Sequence, residues 1–322
     1  MSHHPYRTYR TTVARREQLS PNFLRMTLTG PDLVHFGTAG LDQRIKLVLP
    51  LPDGSFTDVG QFDESVGMME WYRRWRELPD EMRNPIRTYT IRAVRPQSRE
   101  IDVDFVLHGT EGPASAWASA AAPGAPLVVI GPDARADETG GLEWNPGDAD
   151  SVLIAGDETA VPAICAIVES LPAHVTGSVY IEVPTEADAL PLAAPEGVAV
   201  RWLARGSAAH GLRLSAAVHA WGETRAVEST PPAGAAATSG AAGPAAPGAG
   251  LDAAAGAELA DPNEDDVLWE VPEATIGSCY AWLAGEASTI TALRRHLVRG
   301  LGIDRRSVAF MGYWRRGRAE AA

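Results

Sequence analysis

The run "SVLIAGDETAVPAI", Ser151 to Ile164, constrains this chain most. A short unbroken apolar stretch ends at Gly156, and a helical pattern begins near Thr159. An apolar run without alternation, too short for a helix, is what a strand buried on both faces looks like. A helix straight after it covers one of those faces. The texture recurs in "GSVYIEV", "VAVRWLA", "GSCYAWLAG" and "SVAFMGYW", with helical stretches around "AAHGLRLSAAVHAW" and "EASTITALRRHLVRGL". Strands alternating with helices predict a parallel sheet with crossover helices. Such sheets place ligands at the carboxyl ends of their strands, so Asp157, Glu158 and Thr159 stand where a ligand is expected. No GxGxxG fingerprint is present. The two acids would repel a pyrophosphate lying over the turn, and could instead cap the helix or bond sugar hydroxyls.

The chain before about residue 147 differs. "YRTYRTTVARREQL", "FLRMTLTG", "QRIKLVLPL", "IRTYTIRAV", "EIDVDFVLH" and "APLVVIGP" are short alternating or apolar runs bounded by Gly, Pro, Asp and Asn. They predict an antiparallel barrel or sandwich. Two helical interruptions are expected, over 64–78 and 112–124, the second opened by Pro113 and closed by Pro123-Gly124. The expected domains are therefore 1–147 and 148–322. Residues 228–266 are dominated by Ala, Gly, Pro, Ser and Thr and contain no aromatic residue. They cannot bury enough apolar surface to offset ordering entropy, which predicts a disordered insertion.

The net charge of -13 argues against nucleic acid and anionic membrane as partners. No apolar run is long enough to span a bilayer, and the polar start "MSHHPYRTYR" shows no signal-peptide core. Cys165 and Cys279 lie in apolar contexts, as buried free thiols do, which suits a reducing compartment. The expected location is cytoplasmic. Lys46 is the sole lysine, either by chance or because its position needs an ammonium.

Two stretches of the first half could carry chemistry. In "RTYTIR" alternation puts Arg87 and Tyr89 on one face of a strand, a guanidinium for phosphate beside a ring for a flat cofactor. Thr90 adds a hydroxyl, which alternation turns away from Tyr89. A plain strand is the other reading. In "HGTEGPASAW" a helix starts after a strand; its free amides suit a phosphate, Gly112 permits close approach, and Ser115 adds a hydroxyl. A well-capped helix is the alternative.

Together, "RIKLVLP", "RTYTIR", "VLHGTEGPASAWA", "AGDETAVPAI", "WLAGEAS" and "GYWRRG" resemble the siderophore-interacting protein family over nearly the whole chain. These are FAD-containing ferric-siderophore reductases of the ferredoxin–NADP reductase superfamily. The resemblance implies an antiparallel Greek-key β-barrel FAD domain followed by a parallel-sheet α/β NAD(P)H-binding-like domain. It implies Arg87 on the flavin phosphates, Tyr89 on the isoalloxazine, and Thr90 near the reactive nitrogen. His108, Gly109, Ala114 and Ser115 would hold the ribityl and pyrophosphate. Trp117 would flank the site or sit in the core. Asp157, Glu158 and Thr159 would face the flavin and the nicotinamide entry.

For an anionic ferric siderophore the resemblance implies a few cations: Lys46, with Arg44 nearby, and two from the C-terminal run Arg294, Arg295, Arg299, Arg305, Arg306, Arg315, Arg316 and Arg318. Arg299 and Arg315 are the choices; the remainder are expected to be solvated, or one arginine serves the 2′-phosphate of NADPH. NADH, NADPH or reduced ferredoxin would supply electrons. The substrate brings its own iron ligands, so no protein metal ligand and no catalytic acid or base is expected. The rival readings are a ferredoxin or flavodoxin reductase and a siderophore-binding iron carrier without redox turnover.

Overall fold

The computed structural model describes residues 3–37, 39–63, 65–107, 112–137, 140–228, 269–272 and 277–317. The first half forms a closed barrel. Its strands are β1 (Tyr6–Ser20), β2 (Phe23–Thr29), β3 (Arg44–Val48), β4 (Ile86–Arg95), β5 (Glu100–Val106) and β6 (Pro126–Pro132). They are ordered β1-β2-β5-β4-β3-β6, and every neighbouring pair is antiparallel. The alternation of β5 shows why it closes. Ile101, Val103 and Phe105 are fully buried in the barrel core. Asp102 and Asp104 point the other way, where Arg95 holds Asp102 at 2.6 Å and Arg25 holds Asp104 at 2.7 Å. A period of two thus puts apolar side chains inside and paired charges outside.

Two helices complete this half. Helix α1 (Met68–Arg76) starts later than its pattern suggests, because Gly67 is extended and forms the N-cap. Its Trp71 and Trp75 are buried against Val48, Ile86 and Ile130 on the outside of the barrel. Helix α2 (Pro113–Ala120) stops before Pro123-Gly124, and its Ala114 and Ala118 join the barrel core.

The second half is a six-stranded sheet. It comprises β7 (Ser151–Gly156), β8 (Thr176–Val183), β9 (Val198–Ala204), β10 (Trp269–Glu270), β11 (Cys279–Glu286) and β12 (Val308–Trp314), ordered β10-β12-β11-β7-β8-β9. Helices α3 (Val161–Ser170), α4 (Leu212–Glu228) and α5 (Ala287–Arg295) connect its strands. Five strands are parallel, as their apolar runs predict; β10 is antiparallel to β12 and makes the sheet mixed. A two-residue strand carries no readable period. The expected insertion lies outside the described residues, apart from Glu228 at the end of α4. Cys165 and Cys279 are buried free thiols. Among the described residues, no helix is long and apolar enough to cross a membrane.

The halves share a core. Phe23 and Val106 of the barrel lie in one buried cluster with Ile154, Ile164 and Val179 of the sheet. Polar contacts fix the join. The fully buried Asp188, beyond β8, accepts hydrogen bonds from Ser20 Oγ (2.7 Å), Asn22 N (3.0 Å) and Asn22 Nδ2 (2.8 Å). Asp42, before β3, accepts from Trp282 Nε1 at 3.1 Å, and burial pushes its carboxyl up to about 6. Arg92 of β4 meets Glu169 of α3 at 2.6 Å. Replacing Asp188 by Ala strands the donors of Ser20 and Asn22. The expected loss is about 2–3 kcal/mol of unfolding free energy, checked by urea denaturation.

A candidate flavin site beside a self-capped sheet edge

Strand β4 brings the first candidates together. Its register with β3 pairs Tyr89 with Ile45 and Arg87 with Leu47, so both share the face of two fully buried residues. Tyr89 is half-buried, its ring 4.6 Å from that of Phe105 and tilted by 43°. Phe105 in turn lies 5.9 Å from Trp117. Trp117 therefore extends the aromatic floor behind Tyr89 and packs on the barrel core. Thr90 faces the opposite way, paired with Arg44, and is buried. Its side chain lies beside Tyr313 of β12. The alternation that turns Thr90 from Tyr89 thus ties β4 to the second sheet.

Helix α2 supplies the second part. Its N-cap, Gly112, has open space where a Cβ would be, and no side chain among the described residues caps it. No acid stands in its first turn. Ala114 and Ser115 are buried there; Ser115 Oγ donates to the Val106 carbonyl at 3.2 Å, so backbone amides are what this start offers an anion. His108 and Gly109 lie outside the described residues. A half-buried tyrosine, an arginine on its face and a helix start with no side-chain cap among the described residues are what FAD needs for its ring and its pyrophosphate, so the residues fit that group.

The carboxyl ends of β7 and β11 are built differently. Asp157 is 1% exposed. It accepts from Thr159 N (2.9 Å), Thr159 Oγ1 (2.5 Å), Glu286 N (2.7 Å) and Trp314 Nε1 (3.0 Å). Burial and the neighbouring Glu158 push its carboxyl up from the usual range. Glu158 is also buried; burial raises it, but His210 and a two-pronged contact from Arg205 (2.8 and 2.9 Å) overcome that and hold it at about 2. Arg205 reaches Glu182 as well, at 3.3 Å. The side chain of His210 is 7% exposed; burial lowers it, yet Glu158 and Asp157 bring it above its usual value. Asp157, Glu158 and His210 have the geometry of a small cation cluster. Their oxygens are spent on Arg205, His210 and the donors just named, which makes the group an ion-pair network. Sequence patterns missed Arg205, His210 and Glu182; an acid inside the apolar strand "VYIEV" was the one available signal.

The cations scatter. Lys46 is 8% exposed and stands opposite Thr88 and Ile130 on the outer face of the barrel. Arg44 lies 3.5 Å from Glu143 and over the Trp269 ring. Arg294 pairs with Glu270, and Arg306 with Asp304. Arg295, Arg299 and Arg305 are exposed, and Arg299 lies more than three helical turns beyond Glu286, about 20 Å along the axis. Arg315 is exposed beside Trp314 at the end of β12, and the Arg316 amide donates to Glu286 at 3.4 Å. Arg318 lies outside the described residues.

An antiparallel barrel joined to a second, mixed sheet is the fold of ferredoxin-reductase-like FAD/NAD proteins. The cytochrome P450 reductase GcoB of Amycolatopsis shares it at 13% identity over 97% of this chain and 71% of that one, with a TM-score of 0.55. The chain belongs to the siderophore-interacting protein family. The model of the siderophore-interacting FAD-binding domain matches residues 12–136, and that of the siderophore-interacting protein matches 149–317. The structure of the siderophore-interacting protein SipS from Aeromonas hydrophila is similar at 28% identity, covering 97% of this chain and 93% of that one, with a TM-score of 0.63. A siderophore utilization protein from T. fusca gives 25%, 99%, 97% and 0.65. The ferric vibriobactin reductase ViuB of Vibrio cholerae is 35% identical over 191 residues, 59% of this chain. The matched stretch spans 64% of ViuB and 65% of the uncharacterized protein Rv2895c of Mycobacterium tuberculosis, which is 36% identical.

Arg205→Ala leaves Glu158 and Glu182 buried without their cation, at an expected cost of about 3–5 kcal/mol near neutral pH. The folded Glu158 carboxyl binds its proton less tightly than the unfolded one. Its stabilisation is therefore complete above pH 4.5 and lost as pH falls toward about 2. Thermal denaturation of both proteins across that window should show the difference between them shrinking in acid.

Proposed function

We propose that the chain is a flavin-dependent reductase of ferric siderophores, working in the cytoplasm with electrons from a nicotinamide nucleotide or a reduced carrier. One observation carries the reading: α2 offers a helix start with no side-chain cap among the described residues, on the same barrel as the half-buried Tyr89 and its neighbour Arg87. Membership of the siderophore-interacting family and the likeness to ViuB support it. Residues 1–147, with their Greek-key strand order, would be the FAD domain and 148–322 the donor domain.

In this reading Arg87 grips a flavin phosphate, the Ala114 and Ser115 amides hold the pyrophosphate, and Tyr89 orients the ring. Bound there, FAD takes electrons in pairs and releases them singly, as Fe(III) requires. Thr90 keeps β4 against Tyr313, so the edge near Tyr89 stays joined to the second sheet. Arg315, exposed at the end of β12, is the cation this reading assigns to an anionic chelate. Lys46, buried on the outer barrel face, and Arg299, at the far end of its helix, are left out. Hard oxygen donors hold Fe(III) more firmly than Fe(II), so reduction loosens the iron without a protein ligand.

FAD affinity, measured by flavin fluorescence, should weaken about ten-fold or more in Arg87→Ala and Tyr89→Ala. Unchanged affinity in both would remove the site. Flavin photoreduced anaerobically in the wild-type protein should reoxidise on addition of a ferric catecholate siderophore. A flavin that stays reduced, or a protein that takes up no FAD, would leave the iron-carrier reading.

A further inference from the structure

Three arginines that the flavin reading does not use gather at one place. Arg294, Arg295 and Arg299 line a recess of about 150 Å³ together with Thr291, Val298 and Phe310. The recess lies between α5 and β12. Arg294, the first of the three, already stands about 12 Å along the helix axis from Glu286, so the recess is away from the strand ends around Asp157.

A regular helix would not bring these side chains together. At 3.6 residues per turn, Arg294 and Arg299 point about 140° apart around the axis. Here α5 passes into a π turn, His296–Gly300, in which Leu301 N donates to the His296 carbonyl, five residues back, at 3.0 Å. The wider turn swings Arg299 round to the side of Arg294 and Arg295. Single π turns inserted in helices are frequent at functional sites.

The charges at the recess do not balance. The Arg294 guanidinium lies 4.4 Å from the ring centroid of Phe310, and Glu270 of β10 pairs with it. Phe310 is 3% exposed and closes the floor. Arg295 and Arg299 are exposed, and no acid among the described residues pairs with either. Like charges four residues apart on a helix repel. On α1 the chain relieves such crowding itself, since Glu70 reaches Arg73 and Arg74, and Glu77 reaches Arg73. At the recess three guanidiniums meet one carboxylate, an excess of two positive charges in a chain of net charge -13.

We propose that this recess is an anion-binding site, separate from the flavin site, that takes a phosphate dianion, free or as a phosphomonoester. A phosphate carries close to two negative charges near neutral pH, which matches the excess, and guanidinium forks suit its oxygens. Val298 gives the carbon side of an ester an apolar wall.

The inference does not rest on the reductase reading, and its test needs no turnover. Inorganic phosphate and phenyl phosphate are titrated calorimetrically into the full chain at low ionic strength, with and without FAD. The expected result is saturable binding with a Kd of about 1 mM or tighter, unchanged by FAD. The double variant Arg295→Gln, Arg299→Gln should weaken it about ten-fold or more. The double variant Arg15→Gln, Arg306→Gln loses the same charge elsewhere and should stay within about two-fold of the wild type. Should the first variant not fold, Arg299→Gln alone repeats the test. Tighter binding of phenyl phosphate assigns the site to an ester, and equal binding to the free ion; either supports the inference. No saturable binding up to about 10 mM overturns it, as would follow if the arginines served an acidic protein instead. So does competition with FAD, or equal weakening in the two double variants. Failure of the reductase reading is seen separately, as a chain that takes up no FAD.

Discussion

One buried carboxylate holds the second half of this protein together. Asp157 receives an amide from its own turn, an amide from the end of β11 and an indole from the end of β12. Three strand ends therefore converge on two oxygens. The backbone makes room for this. Gly285 takes φ +146° and approaches Asp157 where a Cβ would collide, and a Cβ at Gly156 would meet the Ala284 carbonyl at 2.7 Å. An acid in that place costs desolvation, which the convergent donors offset. Glu158, His210 and the end of β12 at Trp314 are positioned by the same knot.

The two halves treat the same element, the start of a helix, in opposite ways. A helix start is a patch of unsatisfied amides and partial positive charge, and something must satisfy it. In the sheet, internal carboxylates do so and the edge becomes part of the fold. In the barrel, α2 has no such side chain among the described residues, and its Trp117 reaches Tyr89 through Phe105.

Much of this was legible from periodicity. The alternation of "EIDVDFV" and the unbroken run of "SVLIAG" report which faces are buried, and burial is what sets strand type. Arg87 and Tyr89 share a face because side chains alternate, a property of the strand itself. What stayed hidden depends on elements distant in sequence. That Thr90 answers to Tyr313, that Arg205 returns to Glu158, and that His210 closes over Asp157 are facts about how a β-domain meets a sheet. Lys46 stood out by its rarity in composition, which says nothing about exposure, and it is buried. Arg299 belongs to a run of arginines that extends over several helical turns, so its place along the helix could not be read from the pattern.

The shared core has a mechanical consequence. Phe23 and Val106 belong to the barrel yet are buried among the side chains of the sheet, and Asp188 and Asp42 bond across the same join. A hinge there would expose apolar surface and strand buried donors, so the two halves move as one block. A donor and an acceptor that both need the edge near Tyr89 cannot be served by opening on one side and closing on the other. Whatever meets that edge would find a surface whose shape the join has already set.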